Sequence, residues 1–193
     1  MKHSSHHGFT LIELLVVVAV VGILSAVGIA ASGNDWRRER VNAVAIELSG
    51  WLDAVRRTSL KGNACQVTIG GGNLTAGATL ATASELVTNP SNDPIPNNCL
   101  TGQPMRISGS LGNSTYVIAP AGVTSFKFTP RGTVNAAAAN TQLAGPVVIK
   151  ISLADTTGPL RCVRISKGLG LVSIGASNSN AGTCPDNSYG GTL

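Results

Sequence analysis

Residues 8–31 read GFTLIELLVVVAVVGILSAVGIAA, and the rest of the chain is organised around that run. A short polar leader ends at Gly8, and the apolar stretch begins at once, with Glu13 as its one charge. As a helix, residues 9–31 would reach roughly 34 Å, enough to cross a bilayer. A secretory signal peptide would have a shorter apolar core followed by a small-residue cleavage site. Here the plausible cut, Gly8-Phe9, precedes the apolar run, so the hydrophobic segment would survive processing. A lone carboxylate in hydrocarbon costs several kcal/mol, so Glu13 demands a partner.

The segment G-F-T-L-I-E-L-L resembles the prepilin leader of type IV pilins and type II secretion pseudopilins. The resemblance implies a dedicated prepilin peptidase that cuts after Gly8 and methylates the new amino terminus at Phe9. It also supplies the missing partner. Glu13 would pair with the amino group of Phe9 on a neighbouring subunit, a charge that only assembly satisfies and that therefore sets register. Implied partners are that peptidase, other pilin or pseudopilin subunits, an inner-membrane assembly platform, and membrane lipid before assembly.

Composition fits a single anchored domain, with a leader over residues 1–8 and a membrane-spanning helix over 9–31. An amphipathic half of the same helix follows over 32–61, and a β-rich head over 62–193. Aromatic content is only 4%, which points to a modest core and long loops. The four cysteines, Cys65, Cys99, Cys162 and Cys184, all lie in the head and read as two disulfides in an oxidising compartment. Three pairings are possible; Cys65–Cys99 with Cys162–Cys184 is favoured because each closes a local loop. No pair has the C-x-x-C spacing of a zinc site.

All three histidines, His3, His6 and His7, lie in the leader, which would leave the mature chain without any. That removes Ser-His-Asp and Cys-His nucleophiles and histidine-ligated metals. The acidic residues of the head (Glu85, Asp93, Asp155, Asp186) are scattered, with no paired-carboxylate motif. No enzyme activity, cofactor or metal is expected.

Charge counting across the apolar run points the wrong way. Lys2 is the leader's one basic residue besides histidine, whereas Arg37, Arg38 and Arg40 follow the run, softened by Asp35 and Glu39. Cysteine usage and the leader motif outweigh this and place the head in the periplasm of a single-pass inner-membrane protein, and later in a pilus or pseudopilus. The arginines are then expected to meet lipid phosphate or acidic residues of a neighbouring subunit.

From Trp36 to Leu60, apolar residues Val41, Val44, Leu48, Trp51, Leu52 and Val55 step by three or four, as one helix face requires. The two segments are expected to form one long helix, bent around Gly28, Ser32 and Gly33. Major pilins often carry proline at the position of Ala30, so the local melting tied to that proline does not carry over. Beyond Ala64 the pattern shortens to strand-like runs at 66–69, 105–108, 115–119, 125–128, 146–153, 161–166 and 171–174. The stretch from Gly70 to Gln103 reads as loop, with its Gly-Gly-Gly as a flexible hairpin turn. The pattern reads as α+β, and the resemblance implies a pilin-like arrangement, a long amino-terminal helix packed on an antiparallel β-sheet head.

Three head segments narrow the resemblance to the GspH/FimT branch, which includes the H-type pseudopilin and minor pilins. They are A-I-E-L-S-G-W-L-D-A-V-R-R-T-S (45–59), F-T-P-R-G-T-V (128–134) and L-R-C-V-R-I-S-K-G-L-G-L-V (160–172). The resemblance implies a structural subunit in the initiation, tip or assembly of a pilus or pseudopilus. The alternative is a FimT-like receptor for DNA in natural transformation, with Arg131, Arg161, Arg164 and Lys167 as candidate phosphate contacts on a chain of pI 9.3. Against it, the Gly-Arg-x-Arg motif of DNA-binding FimT proteins is here Gly168-Leu169-Gly170-Leu171. Arg161 and Lys167 also alternate with Arg164 along the strand and need not share its face.

Overall fold

The computed structural model describes residues 10–86, 99–108, 114–138, 141–154, 158–179 and 182–189, without the side chains of 27–34. Gly8, Phe9, Asp93 and Asp155 lie outside the described residues, as do the side chains around the expected bend. The chain divides into two compact units, Met1–Trp36 and Arg37–Leu193.

A single helix, α1 (Leu11–Ser59), runs through both. In the first unit its side chains from Leu11 to Leu24 are apolar but for Glu13, and the large ones are exposed by 49–83%. Among the described residues no helix is long and apolar enough to cross a membrane. The helical backbone nonetheless continues through residues 27–31, whose sequence, VGIAA, is equally apolar.

In the second unit the helix obeys its 3.6-residue period. Val41, Val44, Ala45, Leu48, Leu52 and Val55 are fully buried in the main core. Trp51 packs against that core and donates its indole N–H to the Gln103 carbonyl at 3.0 Å. Arg56 and Arg57 in the last turn complement the helix dipole. The chain then leaves through bonds from Lys61 and Gly62 back to the Thr58 and Ser59 carbonyls, with Gly62 at positive φ.

Among the described residues ten strands follow: β1 (Cys65–Ile69), β2 (Gly72–Leu74), β3 (Thr79–Glu85), β4 (Met105–Arg106), β5 (Tyr116–Ala121), β6 (Ser125–Phe128), β7 (Val134–Ala136), β8 (Val147–Leu153), β9 (Leu160–Ile165) and β10 (Val172–Ser177). They form two antiparallel five-stranded sheets, ordered β4-β3-β1-β6-β7 and β10-β9-β8-β5-β2. Alternation decides which residues face inward. Val67 and Ile69 of β1, Phe126 and Phe128 of β6, and Val147, Ile149 and Ile151 of β8 all join the helix residues in one core. The two phenylalanine rings meet edge to face at 5.6 Å.

The stretch 70–103 is not a plain loop. It holds β2 and β3, and β3 pairs with the whole of β1, from Cys65↔Glu85 to Ile69↔Ala81. The inward residues of β3 include Ala81 and Ala83, small and weak in strand propensity, so its alternation is faint. The triple glycine is a corner between sheets rather than a hairpin turn. Gly70 bonds the Leu80 carbonyl of β3, whereas Gly72 already pairs with Ile118 of β5 in the other sheet. An added Cβ at Gly70 or Gly71 would lie 3.3 Å from the Leu80 carbonyl oxygen or 3.5 Å from the Pro120 ring. β7 is a further strand that its three-residue length hid.

Candidate functional site

The amino-terminal motif begins with a helix cap. Thr10 N–H and its hydroxyl both donate to the Glu13 carboxylate, at 3.1 and 3.0 Å, and the Glu13 N–H donates back to Thr10 Oγ1 at 3.3 Å. This is a capping box, in which Thr and Glu three apart satisfy the amide donors that open a helix. T-L-I-E was readable as such from spacing, but reading Glu13 only as an unpaired charge in hydrocarbon concealed it. Within one chain, Glu13 therefore already has partners.

The four candidate cations of the head do not form one patch. Arg161 and Arg164 lie on opposite faces of β9, as their parity suggested, since Arg161 pairs with core residue Ile151 and Arg164 with Val148. On the helix side, Arg161 donates to Asn42 of α1 at 3.3 Å, and burial, then nearby Arg38, lowers its pKa. Arg164 is paired with Asp186 at 2.9 Å and stands 5.1 Å from the centre of the Tyr189 ring. Lys167 donates to the Ala144 carbonyl at 3.3 Å. Arg131 is exposed and lines a cleft of ≈ 340 Å³ with Lys127, Thr129, Thr133 and Asn135. Arg131 and Lys167 do approach one end of the head, because Val134 beside the Arg131 turn bridges to Gly168.

Two of the arginines after the apolar run, Arg38 and Arg40, find partners inside the chain, rather than only in lipid or a neighbour. Arg40 donates to Ser114 at 2.5 Å and Arg38 to Asn178 at 3.3 Å.

The disulfides join Cys65 to Cys99 and Cys162 to Cys184. The first lies in the main core. The second forms a small separate cluster with Leu160, flanked by Val148 and Tyr189, and straps the carboxy-terminal segment onto β9 and β10. Gly175 makes room for that strap, since a Cβ there would stand 2.8 Å from Ser188 Oγ and from the Tyr189 ring.

Residues 3–29 match the family described as the prokaryotic N-terminal methylation motif. Among curated proteins the chain is similar to a type IV major fimbrial protein FimA of Dichelobacter nodosus, 41% identical over 59 residues, covering 31% of this chain and 38% of the relative. It is also similar to a probable minor fimbrial protein of the same organism, 35% identical over 80 residues, covering 37% of this chain and 50% of the relative. The chain thus spans half or less of the length of these relatives. No solved structure matches it. With a methylation motif opening a 49-residue helix and antiparallel sheets behind that helix, the chain has a pilin-like arrangement and is similar, over part of its length, to type IV fimbrial proteins.

Proposed function

We propose that this chain is a minor pilin of the GspH/FimT branch, a structural subunit in the initiation, tip or assembly of a type IV pilus or type II secretion pseudopilus. One observation carries the reading. The helix that follows the methylation motif exposes an apolar surface interrupted only by Glu13, from Leu11 at 83% to Leu24 at 67%. Such a surface is unstable in water and needs lipid before assembly and neighbouring helices after it. The similarity to a probable minor fimbrial protein supports the minor role. In this reading a prepilin peptidase cuts between Gly8 and Phe9, the helix holds the chain in the inner membrane, and the head stands in the periplasm. Assembly exchanges the Thr10 partner of Glu13 for the amino group of a neighbouring Phe9.

Intact mass of membrane-extracted protein tests the processing step. Loss of residues 1–8 with gain of one methyl group is expected, and an uncut chain would sink the assignment. Glu13→Leu should keep its membrane level but enter filaments more than about tenfold less, because the register charge is gone. Normal incorporation would refute the role of Glu13.

A second reading, DNA capture in natural transformation, is favoured by the approach of Arg131 and Lys167 to one end of the head. Double-stranded DNA binding over a salt series tests it. Steeply salt-dependent binding that fails in Arg131→Ala/Lys167→Ala would support it, and negligible binding at low salt would dismiss it.

A further inference from the structure

The end of the head where α1 stops has a composition of its own. Three segments distant in sequence meet there: residues 56–61, the turn 129–134 and the hairpin 166–171. The Leu60 Cδ2 atom lies 3.2 Å from where a Cβ on Gly132 would stand, and the Gly132 carbonyl lies 3.1 Å from where a Cβ on Gly170 would stand. Leu60, Leu169 and Leu171 thus flank one continuous backbone surface, and they are exposed by 49%, 65% and 51%. Arg56, Arg57, Lys61, Arg131 and Lys167 belong to the same segments, which contain no carboxylate. Five of the chain's 14 lysines and arginines, and none of its 9 aspartates and glutamates, lie in these three short segments. The nearest carboxylate along α1, Asp53, sits a turn back.

We infer that this end of the head is a docking surface for an anionic phospholipid bilayer. Leucines carried on a glycine-bounded turn project outward, whereas small-molecule sites are concave. Protein interfaces are depleted in lysine and in charge at their centres. Phosphate contacts to DNA would use the cations and leave the three exposed leucines in water. Exposed leucines on the same adjoining segments as lysine and arginine match the interface of an anionic membrane, where apolar side chains enter the acyl boundary and the cations meet phosphate. The turn 129–134 also borders a cleft of ≈ 340 Å³ whose wall includes the exposed Arg131, a cation for a headgroup phosphate.

The test uses the full chain held by its amino-terminal helix in phosphatidylcholine nanodiscs. These are floated with vesicles of phosphatidylethanolamine and phosphatidylglycerol, or of phosphatidylcholine alone. Capture by the anionic vesicles should exceed capture by neutral ones by about tenfold or more and fall as salt rises. Leu169→Ser/Leu171→Ser and Arg131→Ala/Lys167→Ala, all exposed positions, should each lower it by about tenfold. Arg106→Ala, on the opposite edge strand β4, should leave it unchanged. Equal capture by both vesicle types, or unaltered capture by either variant of this surface, would overturn the inference. So would DNA binding that needs the cations but not the leucines, with no vesicle capture, which would make the surface one for nucleic acid.

Discussion

Replacing both Cys65 and Cys99 with alanine should lower the unfolding free energy of the head by about 3–5 kcal/mol, seen as a shifted urea midpoint. The bridge closes a separation of 34 residues, and both cysteines are fully buried in the main core. Removal therefore loosens the unfolded chain's constraint and also empties sulfur volume beside Ala64 and Thr58, whose oxygens stand 3.7 Å from Cys99 Sγ and 3.8 Å from Cys65 Sγ. The same change at Cys162 and Cys184 is the control. Their separation of 22 residues differs in loop entropy by only about 0.4 kcal/mol, so a larger gap between the two double variants must come from packing. The second bridge serves a small surface cluster, and its loss should free the segment around Asp186 and Tyr189 while the main core stays intact. Equal losses of stability would contradict this division of roles.

Gly170→Ala should destabilise the head by about 3 kcal/mol or more, whereas Gly168→Ala should cost about 1 kcal/mol. Both glycines adopt positive φ, 62° at Gly170 and 85° at Gly168, so each alanine carries backbone strain. They differ in their surroundings. A Cβ on Gly168 meets nothing within 4 Å, but on Gly170 it would lie 2.7 Å from Val134 Cγ2, 3.1 Å from the Gly132 carbonyl oxygen and 3.2 Å from the Phe128 ring. The carbonyl is backbone and cannot turn aside. Thermal melts of the two variants decide the point, and matching midpoints would show that the hairpin relaxes away from β7.

These contacts also show where the sequence was legible. The helix face was readable because Val41 to Val55 repeat at helical spacing over four turns, and all but Trp51 of the expected residues are fully buried. The long strand β8 was readable because valine and isoleucine alternate with lysine and serine. β3 was hidden because its alternation is carried by alanine against threonine and serine, a contrast too weak to stand out beside the glycines around it. The separation of Arg161 from Arg164 followed from parity alone. The end of the head that gathers Leu60, Gly132 and Leu169 did not follow from any window of sequence, since its three segments lie some forty to seventy residues apart and only the fold brings them together. Glu13 belongs to a different category. Its capping partner, Thr10, lies three residues away, so the local hydrogen bonds follow from T-x-x-E spacing alone, whatever the apolar run beyond.

The glycine corner after β1 has a consequence for how the head acquires its structure. Because the chain changes sheets there and again at β3, β5, β6 and β8, neither sheet is made of consecutive strands. The first sheet waits for β7 and the second holds β2 unpaired until β5 arrives, with β8 to β10 still to come. Non-local pairing of this kind is slow, since loop-closure entropy is lost before contacts return it. A chain emerging amino terminus first therefore cannot set its head in stages. It should acquire both sheets late and in one cooperative step, and a truncation before β8 should leave even the earliest strands exposed to protease.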